Sequence, residues 1–589
     1  MATRVTRNRC RLNISFFPWP ACIVGVRVVF IGCTANRDDQ KQVSPVFRTR
    51  ASLACPTRFV FIPCQLANVN QRCHPDSGCQ AVASSATVHR ALPSTSWRKQ
   101  PDSIAIERIF MLLLRSLRER CTFAPHTRFT TRPDWRHLRS SLASAWRFIK
   151  GTRAMQPCKL PDTGNLLLRH ARVPAGTLAD VKDAPAPGSD GLVETDIAID
   201  DGRVVGLGLP LQRSSAAMPV IDLDGAQVWP CYVDIHTHLD KTHSAERTPN
   251  TDYSLLGAIR ADQRDQANHW NDVDLRKRMN FALQCAYAHG TAAMRTHLVS
   301  TASLRRLTWD VFTHLQETWA DRITLQAVSQ VAMEDLIGTG GRELADFVAE
   351  RGGVLGCTIS GSPGPDIAPH LDTVFALAAQ RELDLDFHAD ENLDPDSHAL
   401  RYIAETALRT EFSGKVAIGH CCSLSVQHVS EVKKTLDLVA KSGVAIIGLP
   451  GTDLYQQDRH PGHTPRYRGI TRLHEMQQRD IAIALGSDAC RDLFHPFGDC
   501  DLHAVFAQAA LLGHLDSDLS NWPLAVNRTA AELMGLADTG TIAVGSPADL
   551  IIFSARSYGE LLSRPQADRL VLRQGKPIDT TLPDYRLLD

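Results

Sequence analysis

Eight apolar, β-rich runs alternate with helical stretches through the middle of this chain, and that rhythm limits the fold more than any other feature. The first run spans 228–240 and contains His236 and His238. The others span 290–297, ending at His297, then 323–330, 353–360, 385–388, ending at His388, 416–420, ending at His420, 443–449 and 481–488, ending at Asp488. Strands in alternation with helices predict a parallel sheet, and eight such units predict an α/β fold of the (β/α)8 barrel type. In such a barrel the chemistry stands at the C-terminal strand ends. Those ends carry histidine on the first, second, fifth and sixth runs and aspartate on the eighth.

Side chains two apart on a strand point to the same side, so His236 and His238 are expected to project together. Each polar residue has a plainer reading when taken alone. His388 and His420 would serve as hydrogen-bonded core histidines, Asp488 as a helix cap, and His297 as a structural residue. Taken together they face one mouth. The three imidazoles of His236, His238 and His388 with the Asp488 carboxylate suit one divalent metal ion, Zn²⁺ or Fe²⁺, with a position left for water.

The flanks read differently. Short strand-like runs at 165–173, 195–200 and 203–209 precede the barrel pattern, and runs at 545–553 and 569–575 follow it. Strands from the two sides of an inserted domain commonly share one small domain. Residues 155–230 and 539–589 are therefore expected to form a small β-sandwich domain around a barrel at 231–538. Residues 1–154 read poorly as a domain: arginine interrupts each apolar run, acids are scarce, and no cysteine pair has Cys-x-x-Cys spacing. They suit a targeting segment or, the reading preferred, translated upstream sequence ahead of a start at Met155.

Composition excludes some partners. The chain has 64 basic and 64 acidic residues among 589, which gives no global attraction to nucleic acid or anionic membranes. The apolar runs of the first part fall short of the roughly 20 residues that span a bilayer. Without a secretory signal the cysteines are expected as free thiols in the cytoplasm. Further copies of the same chain are the expected protein partners.

From about Leu166 onward the chain resembles the amidohydrolase superfamily, and most closely its cytosine deaminase branch. The matching residues are 236–240 (His-Thr-His-Leu-Asp), 295–297 (Arg-Thr-His), 388–391 (His-Ala-Asp-Glu), Gly419 with His420, and 486–488 (Gly-Ser-Asp), with further likeness at 468–472 and 545–550. The resemblance implies that His236, His238, His388 and Asp488 hold one metal, which makes hydroxide available near neutral pH. It implies that His420 orients that hydroxide or polarises the substrate, that Glu391 shuttles a proton to a ring nitrogen, and that Asp488 takes the proton of water and passes it toward departing ammonia. The fourth run carries no lysine that could form a carboxylated bridge, so a mononuclear site is implied. Lys241 is expected to make a salt bridge.

Two departures bear on the substrate. An ungapped match puts Gln330 where relatives carry a phenylalanine and Ala332 where they carry a glutamine, and Ala489 stands where they carry a second aspartate. Gln330 is expected to supply an amide contact to the ring, and Phe494, with Phe497 beside it, to cover it. The expected reaction is hydrolytic deamination of a cytosine-like ring. Hydrolysis of another C–N bond, in an N-alkyl aminotriazine or a cyclic amide, is the alternative, and a catalytically silent scaffold is a third reading.

Overall fold

The computed structural model describes residues 161–179, 186–212 and 218–589. The leader expected at 1–154, and the start at Met155, lie outside them.

The strands are β1 (Leu166–Pro174), β2 (Leu192–Asp200), β3 (Arg203–Gly208), β4 (Val220–Asp222) and β5 (Val228–Pro230), then β6 (Tyr232–Thr237), β7 (Thr291–Val299), β8 (Thr324–Gln330), β9 (Leu355–Thr358), β10 (Leu385–Ala389), β11 (Val416–His420), β12 (Ala445–Gly448) and β13 (Ile483–Leu485), and finally β14 (Leu550–Ile552), β15 (Leu570–Arg573) and β16 (Lys576–Pro577). Between β6 and β13 the chain alternates strand and helix. The helices include Leu255–His269, Asp272–Ala288, Arg305–Trp319 and Val429–Ser442. The strands form two parallel sheets, ordered β6-β7-β8 and β13-β12-β11-β10-β9. Isolated parallel bridges join the sheets at both seams, Val328 to Val354 and Thr237 to Asp488.

Burial explains the textures. Every residue of β6, β7, β10, β11 and β12 is buried, as parallel strands covered on both faces must be. The last two parallel strands, β12 and β13, are shorter than their apolar runs. Gly443 closes the helix Val429–Ser442 in a left-handed conformation, φ 70°, and the strand β12 begins at Ala445. At the eighth run the strand ends at Leu485, and Asp488 follows in a left-handed turn, φ 58°.

The apolar run 228–240 is not one strand. It breaks at Cys231 into β5 and β6, which belong to different sheets. Pro230 has no N–H to continue a ladder, and the Cys231 N–H donates sideways to the Asp549 carbonyl at 2.9 Å. β5 pairs antiparallel with β14, so the order β16-β15-β14-β5 joins segments from both flanks. A second flank sheet, β3-β2-β1-β4, packs with it through Leu166, Leu168, Val173, Ile197, Leu550 and Leu572, all fully or almost fully buried. Each such side chain contributes about 1.5–3 kcal/mol. Trp229 of β5 makes edge-on contacts with Phe506, Phe553, Tyr558 and Tyr232, at 5.3 to 6.4 Å between ring centroids, and so locks the flank sheet to the strands that follow.

Candidate active site

The C-terminal ends of β6, β10, β11 and β13 bring the singled-out residues into one buried cluster. His388 Nε2 lies 3.2 Å from His236 Nε2 and 3.1 Å from His238 Nε2. Asp488 Oδ1 lies 3.5 Å and 3.2 Å from the same two nitrogens. His420 stands beside them, its ring centroid 5.3 Å from that of His388. Glu391 Oε2 is 3.6 Å from His420 Nε2.

Close backbone approach makes this possible. A Cβ on Gly419 would sit 2.7 Å from His236 Cε1, and one on Gly486 would sit 2.8 Å from His236 Cβ. Both glycines leave room for the imidazole. His420 and Asp488 have positive φ, 72° and 58°. Such backbone is costly for a side-chain-bearing residue and concentrates at functional sites. Asp488 is held on both sides: its N–H donates to the His236 carbonyl at 2.8 Å, and Ser487 donates from N and Oγ to Asp234 at 3.0 and 2.6 Å. Asp390 accepts from Ser397 Oγ, Ala399 N and Leu400 N, which caps the helix Ala399–Arg409 and fixes the turn that carries Glu391.

The electrostatics fit a cation. Burial, with the neighbouring imidazoles adding to it, holds His236 and His388 well below the usual histidine range, and burial together with Lys241 brings His238 down to about 3. The three rings are therefore neutral, the state in which imidazole ligates a metal. Burial alone would raise Asp488, but the hydrogen bond to His238 and the charge of His420 hold it well below the carboxylate range. Three lone-pair-bearing nitrogens and a carboxylate crowd one point, and neither His236 Nδ1 nor His388 Nδ1 finds a partner. That donor set fits one divalent metal ion.

Around it the groups are tuned for proton transfer. Burial, opposed by His420, pushes Glu391 up to about 7. Burial would lower His420, but Glu391, Asp453 and Asp488 raise it to about 10. Gln330 and Phe494 meet at one edge through Lys241. The Lys241 ammonium donates to Gln330 Oε1 at 2.6 Å, lies 3.3 Å from His238 Nδ1 and stands 5.1 Å above the Phe494 ring. The salt bridge expected for Lys241 is replaced by these contacts, because the nearest polar atoms belong to an amide and an imidazole. Phe497 stands apart, 63% exposed, against Tyr455 and His495.

Two residues not assigned from sequence belong here. Asp453 Oδ1 is 2.9 Å from His420 Nδ1. It escapes the strand-end pattern because it lies inside the helix Pro450–Gln456 that follows β12. His297 does not stand apart as a structural residue. Its ring centroid is 4.1 Å from that of His236, and its Nε2 is 3.3 Å from Asp386 Oδ1. Arg295 in turn pairs with Asp386 at 2.9 Å.

A histidine-rich, cation-ready cluster at the ends of parallel strands defines a class of hydrolase. The chain belongs to the amidohydrolase superfamily, and it is an enzyme that hydrolyses carbon–nitrogen bonds other than peptide bonds. The amidohydrolase family model matches residues 313–579. Over 430 residues the chain is 44% identical to a pterin deaminase of Rhizobium rhizogenes (strain K84), covering 73% of this chain and 97% of that one. Among solved structures it is similar in fold to 5-methylcytosine deaminase of Klebsiella pneumoniae, with TM-score 0.60 at 24% identity over 71% of this chain and 98% of that one. It is also similar to N-isopropylammelide isopropylaminohydrolase of Burkholderia multivorans, with TM-score 0.55 at 23% identity over 70% and 98%.

Proposed function

We infer that the protein is a metal-dependent hydrolytic deaminase of a fused nitrogen heterocycle of the pterin class, converting a ring C–NH₂ and water into C=O and ammonia. The observation that carries this reading is the convergence of His236, His238, His388 and Asp488 beside Glu391 and His420. The 44% identity to a pterin deaminase along nearly all of that relative supports the ring class. A single Zn²⁺ or Fe²⁺ held by those four residues would supply a water ionised near neutral pH.

The side chains supply the rest. Glu391, with its carboxyl group poised near 7, protonates the ring nitrogen next to the reacting carbon. That makes the amidine carbon electrophilic. His420, kept cationic by Glu391 and Asp453, stabilises the charge that develops on the attacking oxygen. Asp488 receives one proton from water and passes it to the amino group as it leaves, and the proton left on the new hydroxyl returns to Glu391 as C=O forms. Gln330, Phe494 and Lys241 orient the ring from the edge they share.

In the same reading the eight parallel strands close as a (β/α)8 barrel at 231–538, which the two seam bridges support. The segments at 155–230 and 539–589 form one small β domain. No helix among the described residues is long and apolar enough to cross a membrane, and a cytoplasmic homo-oligomer remains the expectation.

A screen of the metal-loaded enzyme for ammonia and alkylamine release across pterin, cytosine, isocytosine, isoguanine and N-isopropylammelide tests the ring class. We expect the highest kcat/KM on pterin. A tenfold preference for cytosine would replace this reading with the single-ring one, and release of alkylamine from N-isopropylammelide with no ammonia from any ring would replace it with the aminohydrolase alternative.

A further inference from the structure

We propose that the protein carries a second ligand site, separate from the catalytic cluster, that takes a flat aromatic carboxylate. The site is a cavity of about 690 Å³ bounded by the helix Pro450–Gln456, the segment after it, the loop 490–498 and the helix Leu502–Gly513. The short helix has two working faces. Thr452 and Asp453 are buried, and Asp453 holds His420. Gly451, Leu454 and Tyr455, spaced i, i+3 and i+4, line the cavity. The cavity and His420 thus share one wall, and none of the clustered histidines or carboxylates lines the cavity.

The lining defines the ligand. Arg459 is stacked against two rings, its guanidinium carbon 3.9 Å from the Tyr455 centroid and 5.0 Å from that of Tyr253. Among the described residues its hydrogen bonds go to Tyr455, whose carbonyl accepts at 3.4 Å, and its buried Nε has no partner. Among the described residues no carboxylate pairs with it. A guanidinium held rigid by aromatic stacking, with its charge unanswered, is preorganised for a carboxylate. The walls answer the rest of such a ligand. Tyr253, Tyr455 and Phe497 offer ring faces and edges to a flat apolar body. The volume lies within the range of small-molecule sites, about 300–1,000 Å³.

Of the arginines in the segment after the short helix, only Arg459 lines the cavity, beside His460 and His463, while Arg466, Arg468 and Arg472 line a separate groove. Occupancy would also be felt at the catalytic face. Gly451 lies against the Gln508 side chain of Leu502–Gly513, and a ligand in the cavity bears on the element that carries Asp453.

The aromatic carboxylate has two possible sources: a free acid, or a substituent carried by the ring substrate. Calorimetric titration of the metal-loaded enzyme with 2-naphthoate tests the site without any turnover, so it stands or falls apart from the assigned reaction. We expect one binding event per chain, weakened at least tenfold by Arg459→Ala and less by Arg459→Lys, with kcat/KM on an unsubstituted ring kept within twofold. A matching tenfold loss of kcat/KM in Arg459→Ala, confined to a ring that bears an aromatic carboxylate, would assign the site to the substrate's own extension. Binding of naphthoate alongside such a substrate would assign it to a free acid. Equal naphthoate affinity in wild type and Arg459→Ala would overturn the proposal, as would complete displacement of naphthoate by the unsubstituted ring. So would a drop in sedimenting mass caused by Arg459→Ala, because the aromatic face would then be a contact between chains.

Discussion

Single residues set the chemistry, and Glu391 is the clearest test of it. Glu391→Gln should keep the metal, as measured by elemental analysis, and lower kcat by about 10²–10⁴-fold, since it removes a proton carrier and leaves the donor set intact. Asp453→Asn should also keep the metal. We expect kcat to fall by about tenfold or more with little change in KM, because the variant weakens only the orientation and charge of His420. Asp262 offers a test by stability. Burial, opposed by Lys241, raises it to about 6 from the usual 3.8. A carboxyl group with a raised folded-state pKa binds more protons folded than unfolded, so its contribution is favourable below pH 3.8 and is lost as pH rises to about 6. Asp262→Asn should therefore gain about 2–3 kcal/mol over wild type above that window and nothing below it, as read by urea unfolding at pH 3.5 and 7.5. At this scale the sequence was informative where one side chain ends one strand, as at His388 and His420. It was silent on Asp453, whose role depends on the direction a following helix takes, and it misassigned a salt bridge to Lys241, whose contacts with Gln330 and Phe494 come from segments far apart in the chain.

Elements decide whether those side chains meet. The helix–strand alternation was legible because fully covered parallel strands need continuous apolar runs, and those stand out between amphipathic helices. The break at Cys231 was not legible, since the run 228–240 is buried throughout and only pairing with β14 separates its halves. Asn527 marks that break: its Nδ2 donates to the carbonyls of Pro230 and Cys231 at 3.0 and 3.2 Å. Asn527→Ala leaves two buried acceptors unmet and should cost about 1–3 kcal/mol in urea unfolding. Because β6 starts at the next residue, the same variant should bind metal more weakly, as a competition titration with a chelator would show.

At the scale of the molecule, a bound metal should couple to the fold. Stripping the ion should abolish turnover, lower the melting temperature and be reversed by adding back one equivalent, because four mutually crowded donors are stabilised only when a cation lies between them. Residues 1–154 lack the patterning that the rest of the sequence shows, and a chain starting at Met155 is expected to keep its metal stoichiometry and melting temperature. Loss of soluble protein from that truncation would show that the leader is needed for folding. The division of the first apolar run has a practical sequel. The strand that presents His236 is continuous with one edge of a sheet whose other members come from the last forty or so residues. Hence anchoring the protein to a surface by its tail would transmit load along β16, β15, β14 and β5 to the strand that presents His236, whereas a tether on an outer helix such as Arg305–Trp319 would load β7 and β8 first.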